Sequence, residues 1–271
     1  MGKNPTFTYS INKKMPVFRF LGRVFSVLWK TWFLLWFVFT MVLFYPFFRI
    51  LLSREDWFSM AFRLKKIWAH VLLFGAGIIY RVSYELQLPN KPFVFCPNHT
   101  SYLDIIISYC ILPHYFVFMG KQELSKVPLF RIFFVRMNIL VNRKSAQDAH
   151  RAFVRAGAEL QKGHSVVLFP EGTISREVPH LRPFKNGAFR LAIEQQVPLV
   201  PITFFNHYRL LRDAPYLQGT CRPGRARIHV HAPIDTAGMG LEQMESLKER
   251  VRNIIADSLT HYPNIQPNLS V

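Results

Sequence analysis

No acidic residue occurs before Glu55, whereas eight basic ones do: Lys3, Lys13, Lys14, Arg19, Arg23, Lys30, Arg49 and Arg54. Between Lys30 and Arg49 lies Thr31–Phe48, a run of 18 uncharged and almost wholly apolar residues. As a helix it is about 27 Å long, barely enough to cross a hydrocarbon core. Aromatics such as Trp32, Trp36, Phe39 and Tyr45 suit an interfacial position as well as a span. The run starts late and no small-residue cleavage site follows it, which argues against a removed signal peptide. In the next segment, Trp57–Tyr80, Arg63, Lys66 and His70 share one helical face, the pattern of an amphipathic helix in an interface. The connecting Ser53–Asp56 is too polar for hydrocarbon. The two helices therefore form either a hairpin in one leaflet or one span followed by an interfacial helix. The competing reading is an aromatic helix pair packed on a soluble core.

Half of the 271 residues are hydrophobic, which excludes intrinsic disorder. Basic residues outnumber acidic ones 34 to 16, for a net charge of +18. A chain that is both basic and rich in phenylalanine (26 residues) calls for anionic lipid as its polyanion. It carries no recognisable nucleic-acid motif, and no nucleic-acid partner is expected. Cys96, Cys110 and Cys221 form no CxxC, so neither a disulfide framework nor a zinc site is expected, and the compartment is a reducing one.

From residue 81 the composition becomes ordinary, and the boundary is placed there: 1–80 membrane-association helices, 81–271 an α/β domain. Val82, Tyr84, Leu86 and Leu88 alternate with polar neighbours, predicting a strand over 81–88. Short apolar runs at 93–96, 115–119, 139–141, 165–169, 199–204 and 227–231 predict further strands. Helices are predicted between most of them, most clearly over 145–162, with Ser145 and Asp148 as a capping box and Gly163 past its end. Met244, Leu247, Val251, Ile254 and Leu259 predict a last amphipathic helix over 241–261. This alternation predicts a three-layer α/β domain with a mixed sheet.

Four places carry chemistry. In Asn98-His99-Thr100-Ser101-Tyr102-Leu103-Asp104, a histidine leaves a strand and an aspartate follows in the first helical turn. Such an aspartate fixes the imidazole tautomer and lets the other ring nitrogen take a proton from an alcohol. Ser101 and Asp104 also match a helix capping box, and spacing alone does not separate the two readings. Lys121 and Arg143 bracket an apolar stretch; singly, each reads as a solvated surface charge. Phe169-Pro170-Glu171-Gly172-Thr173-Ile174-Ser175 runs from a strand into a glycine turn able to cradle an anion, with Arg176, Arg182 and Lys185 close behind. Val197–Ile202 is a proline-bracketed strand that reads as structural.

In residues, order and spacing these four blocks resemble the membrane-bound glycerolipid acyltransferase family, from about Leu88 to Phe205. The first block matches its NHxxxxD motif completely. The resemblance implies that His99 is the general base on an acceptor hydroxyl and that Asp104 orients it. It further implies that Asn98, Lys121, Arg143, Glu171, Gly172, Thr173, Arg176 and Lys185 serve substrate binding. The donor would be acyl-CoA or acyl carrier protein, and the acceptor lysophosphatidic acid, giving phosphatidic acid. No metal and no redox cofactor are implied. The expected location is the cytoplasmic face of a bacterial inner membrane. Where the family reads Glu-Gly-Thr-Arg-Ser, this chain has Ile174 in place of the arginine. That motivates an alternative acceptor without a phosphate monoester, such as a lyso-aminolipid. A catalytically silent lipid-binding scaffold is the reading from another class, and the intact His99/Asp104 pair counts against it.

Overall fold

The computed structural model describes residues 16–126, 131–142, 144–218 and 221–261. Helix α1 (Pro16–Leu51) is 36 residues long and continuous through Pro46. Helix α2 (Phe58–Gly75) returns beside it as a hairpin. The indole N–H groups of Trp29 and Trp32 donate to the carbonyls of Ala76 and Gly75, which the end of α2 leaves without helical partners. Trp68 Nε1 donates across the pair to Thr40 Oγ1 at 3.1 Å. Gly75 is required for this approach, because a Cβ there would overlap the Trp36 ring. Lys30 is turned inward, its ammonium donating to the carbonyls of Tyr216 and Gln218. The outer face of α1 therefore bears no charge between Arg23 and Arg49, a length of roughly 38 Å rather than the 27 Å of the uncharged sequence run.

The remaining elements, in order, are β1 (Ile78–Tyr84), β2 (Val94–Pro97), α3 (Leu103–Ile111), β3 (Phe116–Lys121), α4 (Arg131–Arg136), β4 (Ile139–Val141), α5 (Ala146–Gln161), β5 (Ser165–Val167), α6 (Gly187–Glu194), β6 (Leu199–Phe204), α7 (His207–Leu210), β7 (Gly224–Val230) and α8 (Met244–His261). The sheet runs β1-β7-β6-β2-β5-β3-β4, and every neighbouring pair is parallel except β6 and β7. This is the expected mixed sheet in three layers. On one face, Trp29, Phe48, Phe62 and Trp68 of the hairpin share a core with Ile107, Phe116, Phe118 and Phe133. On the other, α5, α6 and α8 bring Ala156, Phe189 and Val251 against Val94, Val166 and Leu199. The hairpin is thus one layer of the fold, with α2 largely covered by protein and α1 half covered.

Two local expectations need correction. The first strand is Ile78–Tyr84, three residues earlier than the alternating pattern over 81–88. Gly77, at φ +65°, ends the helical turn abruptly enough for Ile78 to pair at once with Gly224, and β1 stops where its partner ends at Val230. At the start of α5, Ser145 Oγ accepts from the Asp148 amide, but the Asp148 carboxylate turns to Arg151 and leaves the capping box half made.

Lys65 is buried against this core, its ammonium 5.1 Å from the Phe133 ring centroid and 5.6 Å from that of Tyr109. Burial pushes its pKa down to about 7. Below that pH the folded state carries the cost of a desolvated charge. The cost fades as pH rises toward the ordinary lysine value near 10.5. Lys65→Met is therefore expected to stabilise the protein near pH 6 by about 2 kcal/mol, or roughly 4–8 °C in Tm, and by progressively less toward pH 10. Thermal denaturation in detergent at several pH values checks this, and a variant that melts lower throughout contradicts it.

Candidate active site

Because β2, β3, β5 and β6 are mutually parallel, the loops leaving their C-terminal ends open at one edge of the sheet. The sequence-predicted site residues that are described lie in these loops or at the element ends that border them, Lys121 closing β3 and Asp104 in the first turn of α3. Asn98 follows β2 directly and is fully buried, its amide donating to the Phe204 carbonyl at 3.1 Å while its oxygen accepts from the Phe204 amide at 2.7 Å. Both bonds are made to the end of β6, so Asn98 fixes the exit of the chain toward His99.

His99 Nδ1 donates to Asp104 Oδ2 at 2.9 Å. Its ring stacks on Phe169 with centroids 3.9 Å apart. Among the described residues no group bonds its Nε2, so that is the nitrogen left for a substrate. Asp104 is completely buried and accepts five hydrogen bonds. Its Oδ2 also takes the amides of Thr100 and Ser101 at 2.6 and 2.9 Å, and Oδ1 takes the Thr100 hydroxyl at 3.4 Å and His207 Nδ1 at 2.7 Å. Burial alone would raise the pKa of this carboxyl, but the two imidazoles outweigh it and hold the group below the usual carboxylate range. The helix-start reading and the histidine-orienting reading therefore describe one geometry. The carboxylate that collects amides at the start of α3 is the one that holds His99.

His207, at the start of α7, is fully buried, and its Nε2 has no hydrogen-bond partner. It lies 103 residues from Asp104 in sequence, so spacing could not reveal it. The available signal was its position three residues past the end of β6, the neighbour of β2.

Glu171 is a brace. One carboxylate oxygen accepts from the His99 amide at 2.8 Å and the other from the Arg182 amide at 3.0 Å. Burial raises its pKa against those two amide bonds. Ser175 N donates to the His99 carbonyl at 2.9 Å and ties the same turn to the same residue. Gly172, at φ +73°, places its bare Cα under the end of Lys185, where a Cβ would come within 3.2 Å of Nζ. Lys121 Nζ donates to Thr173 Oγ1 at 3.4 Å. Two ammonium groups thus flank the Gly172–Thr173 turn. Arg176 is exposed and near Tyr102, whose phenol it acidifies against the stronger effect of burial. Ile174 is buried. Arg143 lies outside the described residues.

Among the described residues, both oxygens of Asp104 are engaged by nitrogens of the chain. Among the described residues, the convergent ligand cluster is Glu85, His229 and His231, on the two strands beyond β6.

A family model described as Acyltransferase matches residues 80–205. A Borreliella burgdorferi protein named 1-acyl-sn-glycerol-3-phosphate acyltransferase is 27% identical over 74% of this chain and 79% of its own length. The sheep protein named 1-acyl-sn-glycerol-3-phosphate acyltransferase alpha is 30% identical over 67% of this chain, but the match spans only 62% of the sheep protein. In fold, the chain is similar to the crystal structure of the 1-acyl-sn-glycerophosphate (LPA) acyltransferase PlsC from Thermotoga maritima. The TM-score is 0.76 at 20% identity, covering 91% of this chain and all of that one.

Proposed function

Because residues 80–205 match the family model described as Acyltransferase, we propose that the chain is a member of that family and moves an acyl group from a thioester to the sn-2 hydroxyl of lysophosphatidic acid, giving phosphatidic acid. The observation that carries this reading is His99, fixed through Nδ1 by a buried carboxylate and open at Nε2. In the proposed step, Nε2 takes the proton of the acceptor hydroxyl as its oxygen attacks the thioester carbonyl. The carbon–sulfur bond then breaks, and the imidazolium returns the proton to the departing thiolate. Atoms balance without an acyl-enzyme, metal or redox group. Acyl-CoA and acyl carrier protein both supply such a thioester.

Acceptor phosphate is assigned to Lys121 and Lys185, with the Thr173 amide, since the Gly172 amide is already bonded to the Phe169 carbonyl. In this reading the two flanking ammonium groups take the place of the missing arginine, and the buried isoleucine at 174 makes no contact with the anion. Lys121→Ala and Lys185→Ala are each expected to raise KM for lysophosphatidate about tenfold, the scale of one charge-assisted hydrogen bond, and to spare a phosphate-free lysolipid. Side-by-side assays of the detergent-extracted protein on both acceptors check this. Transfer to the phosphate-free acceptor alone would establish the second reading, a lysolipid without a phosphate monoester, which Ile174 favours.

The outer face of α1 supports membrane attachment. Leu28, Trp32, Leu35, Phe39, Val42 and Phe47 are exposed on a helix whose most apolar 18 residues have a mean hydropathy of 1.9, while Trp29, Met41 and Phe48 of the same helix are buried in the domain. A helix so half covered suits insertion of one face into a leaflet better than a lipid-surrounded span. The three free cysteines and the need for an acyl thioester support a cytoplasmic face, and a bacterial inner membrane is the membrane proposed.

A further inference from the structure

The His-x-His at the end of β7, with His229 in the strand and His231 just past it, is unused by the proposed chemistry. Residues i and i+2 of a strand share a face, so His229 and His231 project together while Val230 between them enters the opposite core. Parallel pairing sets Ser83 of β1 beside His229 and brings Glu85, just past the end of β1, level with His231. Glu85 Oε1 then lies 2.9 Å from His229 Nε2 and 2.8 Å from His231 Nδ1, and the Ala232 amide pins its other oxygen at 2.8 Å.

The far nitrogen of each ring is also held. His229 Nδ1 is 2.6 Å from Ser83 Oγ, and His231 Nε2 is 2.9 Å from Thr203 Oγ1 and 3.4 Å from Ser258 Oγ of α8. Hydroxyls donate or accept equally well, so each imidazole can turn a lone pair toward the cluster while its other N–H donates to oxygen. Orientation of ligating imidazoles by such outer partners is the ordinary construction of a metal site. Burial lowers the pKa of His231 and so favours the neutral ring that ligates.

We propose that Glu85 Oε1, His229 Nε2 and His231 Nδ1 bind one divalent transition-metal cation of the zinc class, joining edge strand β1 to β7. Two imidazoles and a carboxylate suit such an ion better than magnesium or calcium, which prefer all-oxygen sets. Metal–ligand bonds of about 2.05 Å in a tetrahedron put neighbouring donors roughly 3.3 Å apart, so the two short contacts must open by about half an ångström. Glu85 supplies that movement, because its side chain is 42% exposed at the sheet edge. The open side leaves a fourth position to water. Since the cluster lies between β7 and β1, and β6 separates it from β2 and His99, the ion holds structure and takes no part in acyl transfer.

The test uses full-length, tag-free protein in detergent, stripped with EDTA and titrated with Co²⁺. The expected result is one cobalt per chain with visible d–d absorption, displaced by Zn²⁺, and a Tm raised by Zn²⁺. Glu85→Gln and His229→Gln should abolish both signals. Ser83→Ala, which keeps all three ligands, should weaken binding roughly 10- to 100-fold. No d–d absorption in the unaltered protein would overturn the proposal, as would unchanged cobalt binding in His229→Gln.

Discussion

Substitution of His99 by alanine is expected to lower kcat for acyl transfer by roughly 10²–10⁴-fold, the usual contribution of a positioned general base. KM for the acceptor should hardly move, because the groups assigned to its phosphate are Lys121, Lys185 and the Thr173 amide. The fold should survive. Asp104 would keep the amides of Thr100 and Ser101 and the imidazole of His207, and the bond between the His99 amide and Glu171 belongs to the backbone. A melting curve close to that of the unaltered protein, together with a collapsed kcat, is the expected pair of measurements. An alanine variant that retains a tenth or more of the activity would show that His99 is not the base, and would move attention to a binding role.

How much of this was legible in the sequence depends on the range of the interaction involved. The His99–Asp104 pair spans five residues, less than two helical turns, so the motif and its geometry were both readable. The strands of the central sheet were readable because continuous apolar runs between turns have little else to become. The start of β1 was not, since Ile78-Ile79-Tyr80 continues the apolar run of α2 and only the left-handed backbone of Gly77 separates them. The direction of Lys30 was equally hidden. Sequence presents it as the charged end of an apolar run, whereas tertiary structure turns it onto two carbonyls 186 and 188 residues away. Glu171 and Asn98 were read from the sequence as substrate-binding residues, whereas the bonds they make in the structure run to backbone. Residue type shows that such groups need partners and cannot show which partners a fold will supply. His207 and the Glu85 cluster are the extreme cases, assembled entirely by strand order.

The same five-donor environment makes Asp104→Asn the most informative single change, with an expected loss in kcat of about 10²–10⁴-fold from one exchanged atom. An ionised carboxylate accepts everything directed at it: two imidazole Nδ1–H groups, two amides and a hydroxyl. An asparagine must aim its NH₂ at some of those donors. Relief comes when an imidazole moves its proton to Nε2, and for His99 that blocks the lone pair the reaction needs. Stability should follow pH in a defined direction. The carboxyl is held below its ordinary range, so its contribution is present above the unfolded-state pKa near 4 and is lost as pH falls through the lower folded value. The asparagine variant should therefore melt below the unaltered protein at pH 7, with the gap closing in acid. His207→Phe supplies the contrast. It preserves ring shape in a fully buried site and removes one donor, so Asp104 leans more on His99 and stabilises its imidazolium. The acidic limb of kcat/KM should then move to higher pH, with a rate loss of about tenfold or less, whereas Asp104→Asn moves it to lower pH in whatever activity remains. Shifts in the same direction would show that His207 serves packing alone, and opposite shifts would place it in the chain of bonds that sets the basicity of His99.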